Sequence, residues 1–248
     1  SAAAMSQDAS TLFEHFRQGD KRIIFLLQNT HELRPTGGFI GSFATFSLRN
    51  GQLLEHTIED IYEVDGQIES FPPAPEPVAT YLSEDDRLHL QDANWHPDFA
   101  VSGQRILNLM ARGGRDDIDT VIAVNLDLIE RILTIVGPIY LPDYDVTVTQ
   151  DNIAEVARAD RVQFFAGSKA KSDFLNDLFT RLKIQLEQLP FSQKREIAEL
   201  LLAATTRKDL QLYSRTPSVQ EIWERWDASG TLDPGLDEPW FFPVEANV

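Results

Sequence analysis

The segment Thr120-Val-Ile-Ala-Val124 constrains the fold more than any other. It is a short, wholly apolar run rich in β-branched side chains, the pattern of a strand buried on both faces at the centre of a sheet. Helical patterns flank it. Phe99 to Arg112 predicts a helix stopped by Gly113-Gly114, and Leu126 to Val136 predicts another closed by Gly137-Pro138. Helix, central strand and helix together are the mark of α/β layering.

Arg22 to Gln28 reads as a further buried strand. Gly38 to Leu48 alternates apolar and small polar residues and reads as the next. Gln52 to Tyr62 reads as a third, reached through the Arg49-Asn-Gly51 turn, where Asn-Gly tolerates positive φ. These three strands predict an antiparallel meander. The prolines of Phe71 to Pro77 exclude helix or inner strand and leave an extended loop suited to wall a cleft. A short helix is expected over Pro77 to Leu82, an extended segment over Ile139 to Thr147, and a helix capped by Thr149-Gln-Asp-Asn152. Ser172 to Leu189 predicts a long amphipathic helix, with Phe174, Leu178 and Leu182 at helical spacing. Arg195 to Ala204 and Val219 to Trp226 add two more. The expected organisation is a tag or linker with an N-terminal helix over 1–19, a single α/β domain over 20–230 and an irregular tail over 231–248. The start, Ser1-Ala-Ala-Ala-Met5, reads like a remnant of cloning.

The net charge is −17, and a field of that sign repels nucleic acid, so none is expected as a partner. Without cysteine there is neither a disulfide framework nor a thiolate metal site. No apolar run approaches the roughly 18 residues that span a bilayer. The P-loop and Gly-x-Gly-x-x-Gly patterns are missing, as is a nucleophile elbow, and the histidines form no i, i+4 pair. ATP, NAD and haem are therefore not expected as cofactors.

Three groups of residues could carry chemistry. Asn29-Thr-His-Glu-Leu-Arg34-Pro-Thr-Gly37-Gly38 lies between two strands. Its glycines could bring backbone N–H groups close to an anion, and Arg34 can make paired bonds to a phosphate or carboxylate. It is equally a glycine-rich bend with a surface arginine. In the loop Asp92 to Asp98, Asp92, Asn94 and Asp98 offer oxygens to a hard cation such as Mg²⁺, and Trp95 and Phe99 could pack on a lipid or sugar. The same loop also suits an Asx-rich helix start with Asp98 as N-cap and Trp95 as a core anchor. Arg158, Arg161, Lys169 and Lys171 form the main cationic cluster of an acidic chain; they suit a pyrophosphate, or a solvated basic loop.

Gln28-Asn-Thr-His-Glu-Leu-Arg-Pro-Thr-Gly-Gly-Phe-Ile-Gly-Ser42, Tyr62-Glu-Val-Asp-Gly66, Asp92-Ala-Asn-Trp-His-Pro-Asp-Phe99, Val121-Ile-Ala-Val-Asn125 and Gly137-Pro138 occur in that order. Through them the chain resembles a bacterial family of domains of unknown function, number four-zero-one-two, over about residues 20 to 230. That family is distantly similar to the LytR-CpsA-Psr proteins, which are membrane-anchored enzymes outside the cell. They transfer glycopolymers from polyprenyl-pyrophosphate carriers to peptidoglycan. The similar stretch here runs from Asp117 to Gly137.

The resemblance implies a central mixed sheet with an antiparallel meander and helices on both faces. It also implies an extracytoplasmic, envelope-anchored protein, held by an N-terminal transmembrane helix that this chain does not include. A polyprenyl (pyro)phosphate lipid and a cell-wall glycan acceptor would be its partners, with Mg²⁺ as a candidate ion. Arg34, Arg158, Arg161, Lys169, Lys171, Gly37 and Gly38 would bind phosphate, with Arg34, Asp65 and Asp92 as catalytic candidates. The chain departs from the enzymes at their Asp-Thr pair and Pro-Arg-Asp turn, where it reads Gly38-Phe-Ile-Gly41 and Glu59-Asp-Ile-Tyr62. The expectation is therefore either a phosphotransferase or pyrophosphatase, or a non-catalytic envelope module of the same fold.

Overall fold

A computed structural model describes residues 2–158 and 168–232. Helix α1 (Ala2–Arg17) leads into the meander β1 (Asp20–Asn29), β2 (Phe39–Arg49) and β3 (Gln52–Asp60). Then come α2 (Ile61–Asp65), α3 (Glu76–Tyr81), a 3-10 turn at Leu90–Asp92, α4 (Phe99–Arg112), β4 (Thr120–Asn125) and α5 (Leu126–Val136). The hairpin β5 (Ile139–Leu141) and β6 (Val146–Val148) precedes α6 (Ile153–Arg158), α7 (Ser168–Gln188), α8 (Phe191–Arg207), β7 (Leu210–Ser214) and α9 (Pro217–Arg225).

Five strands make one sheet in the order β3-β2-β1-β4-β7. β1 and β4 are parallel and every other neighbouring pair is antiparallel, so the sheet is mixed. β4 is flanked on both sides, as its apolar run requires. Alternation divides β1 between two cores. Ile24 and Leu26 join Ile61, Leu90, Phe99, Ile106 and Met110 beneath α2, the 3-10 turn and α4. Phe25 joins Ile122, Leu128 and Ala204 beneath α5 and α8. Beside that second face, Leu133, Ile139, Val148, Ile153, Phe174 and Leu178 bind α5, the small hairpin, α6 and α7 into an adjoining cluster. Helices therefore cover both faces of the sheet.

Several expected boundaries move for local reasons. The third strand stops at Asp60, because the Asp60 carboxylate accepts the Tyr62 N–H and starts α2. The extended segment 139–147 is a hairpin, folded by the Pro142-to-Asp145 turn. β7 had no sequence signature: Leu-Gln-Leu-Tyr-Ser is short, and it becomes a strand by pairing along β4. α1 docks on α9, where Leu12 and Phe16 pack with Trp223. The tail beyond Leu232 lies outside the described residues.

Candidate functional site

β1 and β4 run parallel, and their carboxyl ends carry Gln28, Asn29 and Asn125. Crevices at such ends are the usual ligand sites of open α/β sheets. The loop 30–38 crosses this end, and its own polar groups hold it there. The Asn29 side chain donates to Glu32 over 2.9 Å, Phe39 N–H donates to the Glu32 carbonyl over 2.8 Å, and Gly37 N–H donates to the Arg34 carbonyl over 3.0 Å. From outside the loop, Asn94 donates through Nδ2 to the Gly38 carbonyl over 2.8 Å, and Gln211 donates to the Thr36 carbonyl over 2.8 Å.

Gly37 and Gly38 adopt φ of 120° and 126°. A Cβ on Gly37 would come within 2.6 Å of Gln28 Oε1, and one on Gly38 would overlap the Asn29 carbonyl. These glycines let the loop lie against the end of β1. The Gly37 N–H is engaged by the Arg34 carbonyl and the Gly38 carbonyl by Asn94, so the Gly37 N–H of the expected anion cradle is committed within the loop.

The Arg34 side chain turns inward and is 7% exposed. Its Nε donates to Asp92 Oδ1 over 2.7 Å, and its Nη1 donates to the Leu33 carbonyl over 2.8 Å. The guanidinium carbon lies 5.6 Å from the centre of the Phe39 ring, within cation–π range. A second cation lies near Gly41, which borders the same ring. Leu27 pairs with Ser42 and Gln28 with Ile40, so Gly41 is an extra residue, a bulge in β2. The space a Cβ would occupy at Gly41 is bounded by the Phe39 ring edge at 3.5 Å and by Lys171 Nζ at 3.6 Å. Lys171 also faces Asp60 Oδ2 at 3.8 Å.

Asn176 sets the position of α7, and thus of Lys171. Its side chain accepts from Ile58 N–H over 2.9 Å and donates to the Ile58 carbonyl over 3.0 Å, clamping the helix to the edge strand β3. Arg34 thus lies over the Phe39 ring, and Lys171 lies beside Gly41, which borders that ring. Phe39, Gly41 and Asp60 complete that arrangement and were missed as site residues. The available signal was Gly41, a lone glycine inside a strand pattern, which marks a bulge or a close approach. Lys169 is exposed at the start of α7. Arg158 closes α6, but its side chain lies outside the described residues, as does Arg161.

The acidic candidates have structural partners. Asp92 is 3% exposed and holds Arg34. Asp98 caps α4, its Oδ1 accepting from Ala100 and Val101 N–H and its Oδ2 from Leu232 N–H. Asn94 is fully buried; its Oδ1 has no hydrogen-bond partner, while its Nδ2 holds Gly38. Asp92 and Asp98 are committed to the chain and leave Asn94 Oδ1 as the one unengaged oxygen of the three residues' buried set, which does not fit a hard-cation site. Among the described residues no group of three or more His, Cys, Asp or Glu side chains could hold a metal ion.

Asp65 accepts Leu90 N–H over 3.2 Å, and His89 Nδ1 lies 3.4 Å from its other oxygen. Burial raises its pKa above the ordinary carboxylate value, and the nearby Asp92 charge adds to that; the Leu90 N–H and His89 oppose it. Two concavities lined by described residues lie elsewhere: one beside Glu14, Arg17 and Asn50, the other between the proline loop and α4.

The model of a family described as protein of unknown function (DUF4012) matches residues 18–161, more than half of the chain. The chain belongs to the DUF4012 family. The match holds Arg34, Phe39, Gly41, Asp65 and Asp92, whereas Lys171 of this DUF4012 chain lies beyond it. No curated protein matches the sequence. Among solved structures, protein gbs0355 from Streptococcus agalactiae aligns with a TM-score of 0.51 at 13% identity, covering 87% of this chain and 75% of that one. The Lin1025 protein from Listeria innocua gives 0.46 at 8% identity, covering 86% and 80%. B. subtilis TagV, a LytR-CpsA-Psr protein, gives 0.43 at 11% identity, also covering 86% and 80%. The first shows a shared fold, and the other two are too distant to carry an argument. The DUF4012 chain thus has the expected mixed sheet with helices on both faces, in a fold shared with gbs0355. No helix among its described residues is long and apolar enough to cross a membrane.

Proposed function

We propose that this chain is a cell-envelope domain that holds the (pyro)phosphate headgroup of a polyprenyl-linked glycopolymer. The observation that carries this reading is the placement of Arg34 over the Phe39 ring and of Lys171 beside Gly41, two residues further along β2. Each cation faces a carboxylate, Arg34 that of Asp92 and Lys171 that of Asp60, and a dianionic headgroup would share these cations with the acids. Lys171 sits at the start of a helix whose Phe174 and Leu178 are buried in an apolar cluster, which fixes the helix beneath it. The likeness to the polyprenyl-pyrophosphate enzymes implied by the sequence strings supports the reading further. An extracytoplasmic location and a glycan acceptor belong to the same proposal.

Binding without turnover is the reading the geometry favours, because Asp92 and Asp98 are engaged in holding the chain together. Phosphotransfer or pyrophosphate hydrolysis is the second reading, favoured by Asp65. Its Oδ2 lacks a hydrogen-bond partner, lies beside His89, and belongs to a carboxyl group whose pKa is raised. Such a carboxyl could take the proton of an acceptor hydroxyl. No step is assigned to Mg²⁺.

Titration calorimetry with geranylgeranyl pyrophosphate in detergent tests the binding. Saturable binding is expected, weakened roughly tenfold by Lys171→Gln through loss of a charged contact. Wild-type affinity in that variant, with its fold intact by circular dichroism, overturns the reading. Phosphate release from the same lipid, abolished by Asp65→Asn, would establish turnover; bound lipid recovered intact would establish the binding module.

A further inference from the structure

Between the proline loop and α4 lies a cavity of about 250 Å³. Pro72, Pro73, Leu88 and Leu109 give it apolar walls, and Arg105 and Arg112 reach it from α4. The walls are preformed. Pro73 bridges to Arg87, Leu88 N–H donates to the Pro72 carbonyl over 3.0 Å, and Ala74 N–H donates to the Asp86 carbonyl over 2.9 Å. A short antiparallel contact therefore fixes a segment whose prolines already limit its φ angles.

Arg105 is the unusual group. Its guanidinium carbon lies 5.1 Å from the centre of the Trp95 ring. Its Nη1 is out of contact with solvent and has no hydrogen-bond partner. Among the described residues no carboxylate pairs with it, in a chain with 39 acidic residues. Burial alone, with no acid to oppose it, lowers its pKa. Its neighbours on α4 are engaged differently: Arg112 donates to the Ser70 carbonyl over 2.8 Å, and Asn108 accepts from Arg215 over 2.9 Å. A half-buried cation without an acceptor has lost solvation and gained little in return, and an anion in the cavity it lines would restore the balance.

We propose that this cavity is a binding site for a small carboxylate carried on an apolar ring or short apolar chain. The planar guanidinium fork matches the carboxylate. The proline and leucine walls match an apolar body rather than a polyhydroxylated one. One uncompensated cation suits a single negative charge, so the pyrophosphate group proposed for the Phe39 site is the wrong ligand here. The two sites share no residue and stand or fall separately.

The probes are benzoate, its neutral counterpart benzamide, and inorganic phosphate, each titrated into the whole chain and followed by amide chemical-shift mapping. Benzoate is expected to bind saturably and to shift the amides of Leu88, Arg105 and Leu109, while benzamide and phosphate leave them in place. Arg105→Gln is expected to weaken benzoate binding roughly tenfold through loss of a charge-assisted contact. Arg105→Lys, which keeps the charge but not the fork, should weaken it as well. The comparison of benzoate with benzamide on the wild-type chain needs no variant, so misfolding cannot mask the answer. Equal binding of benzoate and benzamide, no shift at those amides, or wild-type affinity in Arg105→Gln each overturns the proposal.

Discussion

Arg34 Nε and Asp92 Oδ1 stand 2.7 Å apart, joining the loop after β1 to a 3-10 turn 58 residues later. The two side chains are 7% and 3% exposed, so each buried charge depends on the other. Removing one partner leaves the other uncompensated. Arg34→Met or Asp92→Leu alone should each cost about 3–5 kcal/mol. The double variant should cost clearly less than the two together, because it leaves no orphan charge. Urea denaturation of the four proteins measures this. Additive losses would mean the pair is not coupled and that Arg34 is held in place by something else.

Two glycines three residues apart, Gly38 and Gly41, should behave in opposite ways. At Gly38 a methyl group would meet the Asn29 carbonyl at a φ of 126°. Gly38→Ala should therefore lower stability by about 2 kcal/mol or more, from strain and overlap together. At Gly41 the methyl would meet Phe39 and Lys171 at ordinary contact distances. Gly41→Ala should keep stability within about 0.5 kcal/mol of wild type. It should nevertheless weaken lipid pyrophosphate binding, because it fills the space between the ring and the ammonium. Thermal melts paired with calorimetry separate the two effects; unchanged affinity in Gly41→Ala would remove the Phe39–Lys171 gap from the site.

What the sequence made legible follows from the range of each interaction. β4, α4 and α5 follow local rules: an apolar run, helical spacing, and glycine stops at Gly113 and Gly137 that α4 and α5 obey. The Asp98 cap is equally local, one of two readings open in the string itself. β7 is not local, since its five residues become a strand through pairing with β4. Arg34 was legible as a cation but not as an inward-facing one, because Asp92 lies far along the chain. Lys171 was legible as a charge, but its place beside Gly41 depends on Asn176 binding the backbone of Ile58, a contact across 118 residues that no spacing rule announces.

Asp65 gives stability a definite dependence on pH. Burial holds its folded pKa above the ordinary 3.8. Between that value and the raised one, the folded state binds more protons than the unfolded chain, so stability falls as pH rises through the interval. Asp65→Asn keeps an acceptor for Leu90 N–H but does not titrate, and should remove that component of the fall. Urea midpoints for both proteins from about pH 4 to about pH 7 give the comparison. Parallel curves would mean that Asp65 ionises in the folded protein as it does in the unfolded one.

Asp8 acts in the opposite sense and on a different element. Its carboxylate accepts from Arg225, and from Trp226 Nε1 over 3.1 Å, tying α1 to the end of α9. The Arg225 hydrogen bond lowers its pKa below 3.8 despite burial, and the Arg225 charge and the Trp226 N–H add to that. A carboxyl group with a depressed folded pKa contributes stability that is present above its unfolded value and lost as pH falls through its folded one. The loss should be local, because Leu12 and Phe16 then hold α1 against Trp223 by apolar packing alone. Amides of α1 should therefore exchange faster with solvent as acid is added, while those of β1 and β4 stay protected. Asp8→Ala should show the fast exchange at neutral pH already. If α1 in that variant remains as protected as in the wild type, its docking rests on Leu12 and Phe16, and the ion pair contributes nothing to it.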